Sequence, residues 1–362
     1  MQALEKKSKT GHFVTTPIGQ LDGGFSGPHG VAFDSKHKSI VVADCCCHQL
    51  QFFSRQDSCK YLSAFRSNGT ENNHFGFPTG VCFQPATNNL IVTDSHRVQV
   101  FSISSSSSSS LIHLFSVGKA EDFAYFYLSD AENPAKGSGP SQFNDPSGIC
   151  CTARGDIIVA DSGNDRMQII DCKGRHVRAF GSQGRGSDQF QNPSDVCVQE
   201  DAGANRMIIT DSSNQRLSVW SVDGCEPILT VPVQREIDHP ARSLGSQCRP
   251  EYRSPFSNHM SAYAQWNVRP YEPDLIVTSA PQGICSYPRT HRIAVSCGVS
   301  CGRGYIDVLD CKTKNKWNVI QKVEPADDEH GYGGFDAPRG VCVDDRGVLF
   351  VADSGNDRVQ MF

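Results

Sequence analysis

The sequence predicts an all-β protein made of six copies of one four-stranded unit, and three observations carry that expectation. The first is an internal repeat: VADSGNDRMQII (Val159 to Ile170) returns almost unchanged as VADSGNDRVQMF (Val351 to Phe362). Each copy is an apolar run, a polar turn and a second apolar run, the pattern of two short strands joined by a tight loop. The second is a Phe, Pro, x, Gly signature ahead of each hairpin, FNDPSGICC (Phe143 to Cys151) and FDAPRGVCV (Phe335 to Val343), with 15 residues from Pro to Asp in both. The third is its recurrence at Pro28, Pro78, Pro146, Pro193, Pro281 and Pro338, the fifth copy being the weakest, with Cys297 where the others carry Asp. The best copy runs on through the turn DCKG (Asp171 to Gly174) into HVRAFG (His176 to Gly181), giving strands a, b, c and d in the 47 residues from Pro146 to Pro193. Four-stranded repeats of that length are the signature of a β-propeller with one unit per blade.

In chain order, residues 1–12 read as a charged N-terminal tail and 13–362 as the propeller. No stretch has the apolar length of a signal peptide core or of a membrane span, so a soluble, cytoplasmic monomer away from membranes is expected. The formal charge of -5 and pI near 6.2 give no global bias toward nucleic acid, so any basic site is local. FVTTPIG (Phe13 to Gly19) precedes the first Pro motif much as HVRAFG precedes the fourth, and the sixth copy reaches only its c strand. The N-terminal strand is therefore expected to complete the last blade and close the ring, removing an open edge.

Blade 1 spells its b–c loop Cys45, Cys46, Cys47, His48. Adjacent ligands on one short loop do not close a tetrahedron, and the paired spacing of zinc modules is missing there, so no metal is expected. Cys82, Cys150, Cys197, Cys285 and Cys342 share one position in strand a and read as small core hydrophobes, while Cys59, Cys172, Cys225 and Cys311 fall at the c–d turns. The serine run Ser104 to Ser110 reads as a flexible c–d turn. Two insertions, at about 119–142 and 232–274, lie between a d strand and the next a strand, on the propeller face that carries the b–c loops. Loops on a rigid scaffold are where binding residues concentrate. The larger insertion interleaves Arg242, Arg249, Arg253 and Arg269 with Tyr252, Tyr263 and Trp266, a mixture suited to protein or RNA contact.

Two further sets recur. Asp94, Asp161, Asp211 and Asp353, with Arg97, Arg166, Arg216 and Arg358, repeat at the b–c loops and read as architectural, each Arg forking into carboxylates or carbonyls. The residue after the motif Pro varies instead: His29, Thr79, Ser147, Ser194, Gln282 and Arg339 are expected to ring the channel mouth as a partner-binding surface. A central metal needs converging carboxylates or several histidines. The ring offers one His and no acid, with Asp195 the only carboxylate beside it, so neither catalytic residues nor a cofactor are assigned.

The Pro-x-Gly step, the apolar run ending in Asp and the Asp-x-x-Asn-x-Arg turn together resemble the NHL repeat, most clearly in the third and sixth copies. NHL propellers occur in ubiquitin ligases of the tripartite-motif type and in RNA-binding regulators. The resemblance implies a six-bladed propeller that recruits a protein partner or substrate within a ubiquitin-ligase pathway. RNA binding on the elaborated face is the alternative, and a metal-dependent lactonase or lyase the second. No RING finger is visible in the sequence, so ubiquitin transfer would need another chain.

Overall fold

The computed structural model describes residues 5–7, 13–15, 19–21, 23–104, 111–119, 137–201, 204–233, 279–299, 304–313, 317–323 and 334–362. Six antiparallel sheets of four strands follow one another along the chain. Blade 1 is Pro28–Asp34, Ser39–Asp44, Gln49–Ser54 and Tyr61–Arg66; blade 2 is Pro78–Phe83, Leu90–Asp94, His96–Ile103 and Leu111–Lys119. Blade 3 is Pro146–Cys151, Ile157–Asp161, Arg166–Ile170 and His176–Phe180; blade 4 is Pro193–Asp201, Ala204–Asp211, Arg216–Ser221 and Pro227–Pro232. Blade 5 is Ser279–Ser286, Arg292–Val299, Tyr305–Asp310 and Asn318–Val323, and blade 6 takes Pro338–Val343, Leu349–Asp353 and Arg358–Met361. Each a strand neighbours the a strands before and after it, and blade 6 returns to blade 1, so the sheets form a ring.

The burial pattern explains why these sequences become strands of this kind. The b strands are near-continuous apolar runs, such as Ile40, Val41, Val42 and Ala43, all fully buried, because each sheet is covered on both faces by its neighbours. The d strands lie on the perimeter and leave Tyr61, Leu62, Ile112, Leu114 and Val177 exposed. The core is correspondingly divided among the blade interfaces. Val41, Leu50 and Phe52 of blade 1 pack with Val81, Leu90 and Phe101 of blade 2, and Phe350 and Val359 of blade 6 pack with Val31 and Ile40 of blade 1. The motif phenylalanines Phe75, Phe143, Phe190 and Phe335 are all sealed inside these interfaces, each contributing about 1.5–3 kcal/mol of burial.

The Pro-x-Gly step is explained by how closely the inner strands approach. A Cβ on Gly30 would lie 2.3 Å from the Thr79 carbonyl oxygen, and one on Gly283 would lie 2.2 Å from that of Arg339. Blade 4 departs from this, with Asp195 in the glycine position and its Cα 2.4 Å from where a Cβ on Gly148 would sit.

The N-terminal strand differs from expectation. Phe13–Thr15 pairs with Glu5–Lys7 in a separate two-stranded sheet, so a segment of the expected tail is itself a strand. The fourth strand beside Arg358–Met361 is Gly19–Leu21, with Leu21 opposite Val359 and Gly19 opposite Met361. Pro17 sits within the expected stretch and has no amide hydrogen to give a ladder; the ladder beside blade 6 forms on its far side. Sheets of blades 1 and 6 remain separate. Most of the serine run and most of both insertions, including Arg242, Arg249, Tyr252, Arg253, Tyr263, Trp266 and Arg269, lie outside the described residues.

Candidate functional site

Antiparallel order places the start of a, the end of b, the start of c and the end of d at one end of every blade. The b–c corners, the d–a connections and the ring of residues after the motif Pro therefore share one face. At the corners of blades 1, 3, 4 and 6, a short 3-10 turn follows the buried Asp and closes with a left-handed residue, at φ 52° and ψ 41° for Asp165. Asp161 accepts from the Asn144 amide at 2.8 Å, the Arg166 Nε at 2.7 Å and the Gln168 Nε2 at 2.9 Å. The remaining guanidinium nitrogens of Arg166 donate to the Ser138, Gly139 and Gln142 carbonyls of the d–a connection.

The tie between Arg and Asp recurs at the corners of blades 2, 4 and 6. Arg97 pairs with Asp94 and reaches Thr70 and His74; Arg216 pairs with Asp211 and reaches Arg185, Gly186 and Gln189; Arg358 pairs with Asp353 and reaches Gly334. Burial pushes the carboxyls of Asp94, Asp161 and Asp211 upward, and hydrogen bonds together with the paired guanidinium oppose that rise.

Serine side chains link some corners to the following blade. Ser162 Oγ donates to the Pro193 carbonyl at 2.5 Å, Ser212 Oγ to that of Pro281 at 2.5 Å, and Ser354 Oγ to that of Pro28. A hydroxyl one residue before the corner Asp does related work, since Thr93 accepts from the Gly80 amide at 2.6 Å and donates to the Ser147 carbonyl at 2.6 Å. Sequence reading missed both sets, although Ser recurs directly after Asp161, Asp211 and Asp353.

Along the axis runs a cavity of about 320 Å³, walled by the a strands of all six blades. His29, Thr79, Ser147, Ser194, Gln282 and Arg339 all line it, so the structure brings the six variable positions together. They are not equivalent. Thr79 is engaged by Thr93 Oγ1 at 2.9 Å and the Pro146 carbonyl at 3.0 Å, and Ser194 by Ser212 Oγ at 2.6 Å and the Gln282 carbonyl at 2.7 Å. Arg339 Nη1 donates to Gln282 Oε1 at 2.8 Å. Burial, then the neighbouring Arg339, lowers His29 to about 3, which keeps its ring neutral.

Asp195 supplies a carboxyl to the same wall. Its two oxygens accept the Val196 and Ile284 amides, each at 2.8 Å, and burial raises it to about 7. Below the mouth the wall carries Cys82, Cys150, Cys151, Cys197, Cys285 and Cys342, with the Cys82 and Cys151 sulfurs 3.6 Å apart across blades 2 and 3. The shared strand-a position of Cys82, Cys150, Cys197, Cys285 and Cys342 was legible; their convergence on the channel, with Cys151, was not.

Cys45 is buried and kept protonated by its contact with Cys46 and by burial, while Cys47 is pushed up to about 11 by burial and the Asp44 charge. Among the described residues no three His, Cys, Asp or Glu side chains converge as a metal site.

A family model described as NHL repeat matches residues 25–53, 143–170 and 335–362, which hold the a, b and c strands of blades 1, 3 and 6. The chain belongs to the NHL-repeat family. It is 42% identical over 115 residues to protein brain tumor of Drosophila melanogaster, a match covering 30% of this chain and 11% of the fly protein. It is 33% identical over 100 residues to the human E3 ubiquitin-protein ligase TRIM32, covering 25% of this chain and 15% of the ligase. RING finger protein nhl-1 of Caenorhabditis elegans is 32% identical over 76 residues, covering 21% of this chain and 7% of that protein. The chain thus matches only a small share of each relative. In architecture it resembles a protein from Lactobacillus plantarum (TM-score 0.55, 11% identity, 98% of this chain and 85% of that one). Hydrazine synthase of Kuenenia stuttgartiensis is a second such likeness (TM-score 0.53, 14% identity, 94% and 78%). At those identities the likeness is one of fold.

Proposed function

We propose that this NHL propeller is a protein-recruiting module that presents a substrate or partner within a ubiquitin-ligase pathway. The observation that carries the reading is the channel mouth, where His29, Gln282 and Arg339 bring an imidazole, an amide and a guanidinium to one wall on the face that bears both insertions. That is a recognition surface, with large polar groups of different kinds at positions the fold leaves variable. The pathway assignment draws on the kinship of these repeats with segments of a tripartite-motif ligase and a RING finger protein. The test is affinity capture from lysate with and without RNase. The same proteins should be retained in both; loss of the captured set on RNase treatment moves RNA to the front.

The reading needs a ring that stays shut under load. Gly19–Leu21, as fourth strand of blade 6, serves in this proposal as the clasp that joins the N-terminal segment to the last blade. Deleting residues 1–21 strips that strand and the buried Leu21, so cooperative unfolding should broaden and the melting temperature fall by several degrees. An unchanged melt removes the clasp from the account.

A further inference from the structure

Four arginines of this chain, Arg97, Arg166, Arg216 and Arg358, each lie within 3.0 Å of a buried aspartate oxygen. Arg339 lines the channel without such a partner. Its Nη1 is bound by the neutral Gln282 amide oxygen, its Nε is buried with no hydrogen-bond acceptor, and among the described residues it forms no ion pair with a carboxylate. The wall's own acid does not serve: the Asp195 oxygens accept the Val196 and Ile284 amides, and no hydrogen bond or ion pair joins them to Arg339. His29, beside Arg339, is neutral. At the mouth, then, Arg339 is a cation with no carboxylate paired to it, in a setting where an unpaired charge is costly.

The edge that is left over defines the ligand. With Nη1 engaged by Gln282, the Nε side of the guanidinium remains, and that side offers parallel N–H groups matched to the two oxygens of a carboxylate. One positive charge neutralises one carboxylate, whereas a phosphate dianion would leave a charge uncompensated. A cavity of about 320 Å³ is at the small end of ligand pockets and suits a side chain.

We infer that the channel mouth is a carboxylate receptor, in which Arg339, with Gln282 and His29 beside it, takes the side chain of an aspartate or glutamate projecting from a protein partner. This deepens the recruiting function proposed above and rests on it for the origin of the acid; the site itself is tested without any partner.

The probe is N-acetyl-glutamate amide, compared at constant ionic strength with N-acetyl-glutamine amide and with inorganic phosphate, on the whole chain. The readout is the Arg339 Nε–H resonance, assigned by its disappearance in Arg339→Met. The acid should shift that resonance saturably in the millimolar range and the neutral amide should not. Arg339→Met should weaken acid binding at least tenfold, judged by the acid's effect on the melting temperature, while the melting temperature without ligand stays level or rises, since a partly buried, unpaired cation has been removed. Arg339→Lys, which keeps the charge and loses the fork, should bind the acid in between. Equal response to acid and amide, response to neither, preference for phosphate, or a fall in the ligand-free melting temperature of Arg339→Met would each overturn the assignment. Capture of RNA in the lysate experiment would sink the partner reading without touching this result, and a silent mouth would leave a partner held elsewhere on the face.

Discussion

The b–c corners of blades 1 and 3 reach the same backbone shape with different side chains. Both place a short 3-10 turn after a buried aspartate and close it with a left-handed residue, His48 at φ 52°, ψ 44° and Asp165 at φ 52°, ψ 41°. In blade 3 the fifth residue after the Asp is Arg166, and the seventh is Gln168; in blade 1 these are Gln49 and Gln51. Asp44 still receives the Ser26 amide at 2.8 Å, Gln49 Nε2 at 2.6 Å and Gln51 Nε2 at 2.9 Å. The turn is thus indifferent to the arginine. What the arginine adds is a tie from the carboxylate to three carbonyls of the preceding connection. Blade 1 has little to tie, as only the residues between Leu21 and Pro28 precede it.

The comparison breaks most sharply on the aspartates. Asp161→Ala strands Arg166 as an uncompensated, mostly buried charge, and about 3–5 kcal/mol should be lost in urea unfolding. Asp44→Ala leaves only neutral donors unsatisfied, so about 1–3 kcal/mol is expected. Equal losses would mean that the arginine carries no extra share.

The inner ends of the blades allow the same comparison to be sharpened at blade 4, where Asp195 replaces glycine. Its carboxyl is raised from 3.8 to about 7. A raised acid favours the folded state only while protonated, so its penalty is absent near pH 4, grows between pH 4 and pH 7, and is constant above. The full linkage is about 4 kcal/mol. Asp195→Asn should therefore gain more stability at pH 8 than at pH 4, by up to that amount less the cost of one weakened amide contact. A pH-independent difference between the two proteins would remove burial as the cause.

Much of the fold could be read directly from residues with one steric or packing job. Phe75, Phe143, Phe190 and Phe335 announce the blade interfaces, and the motif glycines mark where inner strands touch. The Asp and Arg recurrences locate the corners for the same reason. Arg339 could not be singled out this way: one more arginine in a sequence says nothing of whether a carboxylate reaches it, and here the answer depends on the a strands of blades 4, 5 and 6 at once. Asp195 likewise looks like a residue near the mouth until its glycine position and its bond to Ile284 in the next blade are seen. The strand beside Arg358–Met361 lies a few residues later than FVTTPIG, because strand-like letters on both sides of Pro17 carry no record of which side finds a partner.

The serine links run in one rotational sense, from blade 3 to 4, from 4 to 5 and from 6 to 1. Linear repeat arrays fray from their terminal units, because each end has a single neighbour. The inner strands here have no terminal member, since blade 6 returns to blade 1. A fluctuation that frees one a strand must open both of its flanking interfaces together, whereas a perimeter strand is released by separating from its own c strand. Motion in this molecule should thereby be graded by radius rather than by position along the chain: residues far apart in sequence but in contact, such as Gly30 and Gly340, are expected to move as one layer, and Pro28 and Tyr61 of a single blade are not.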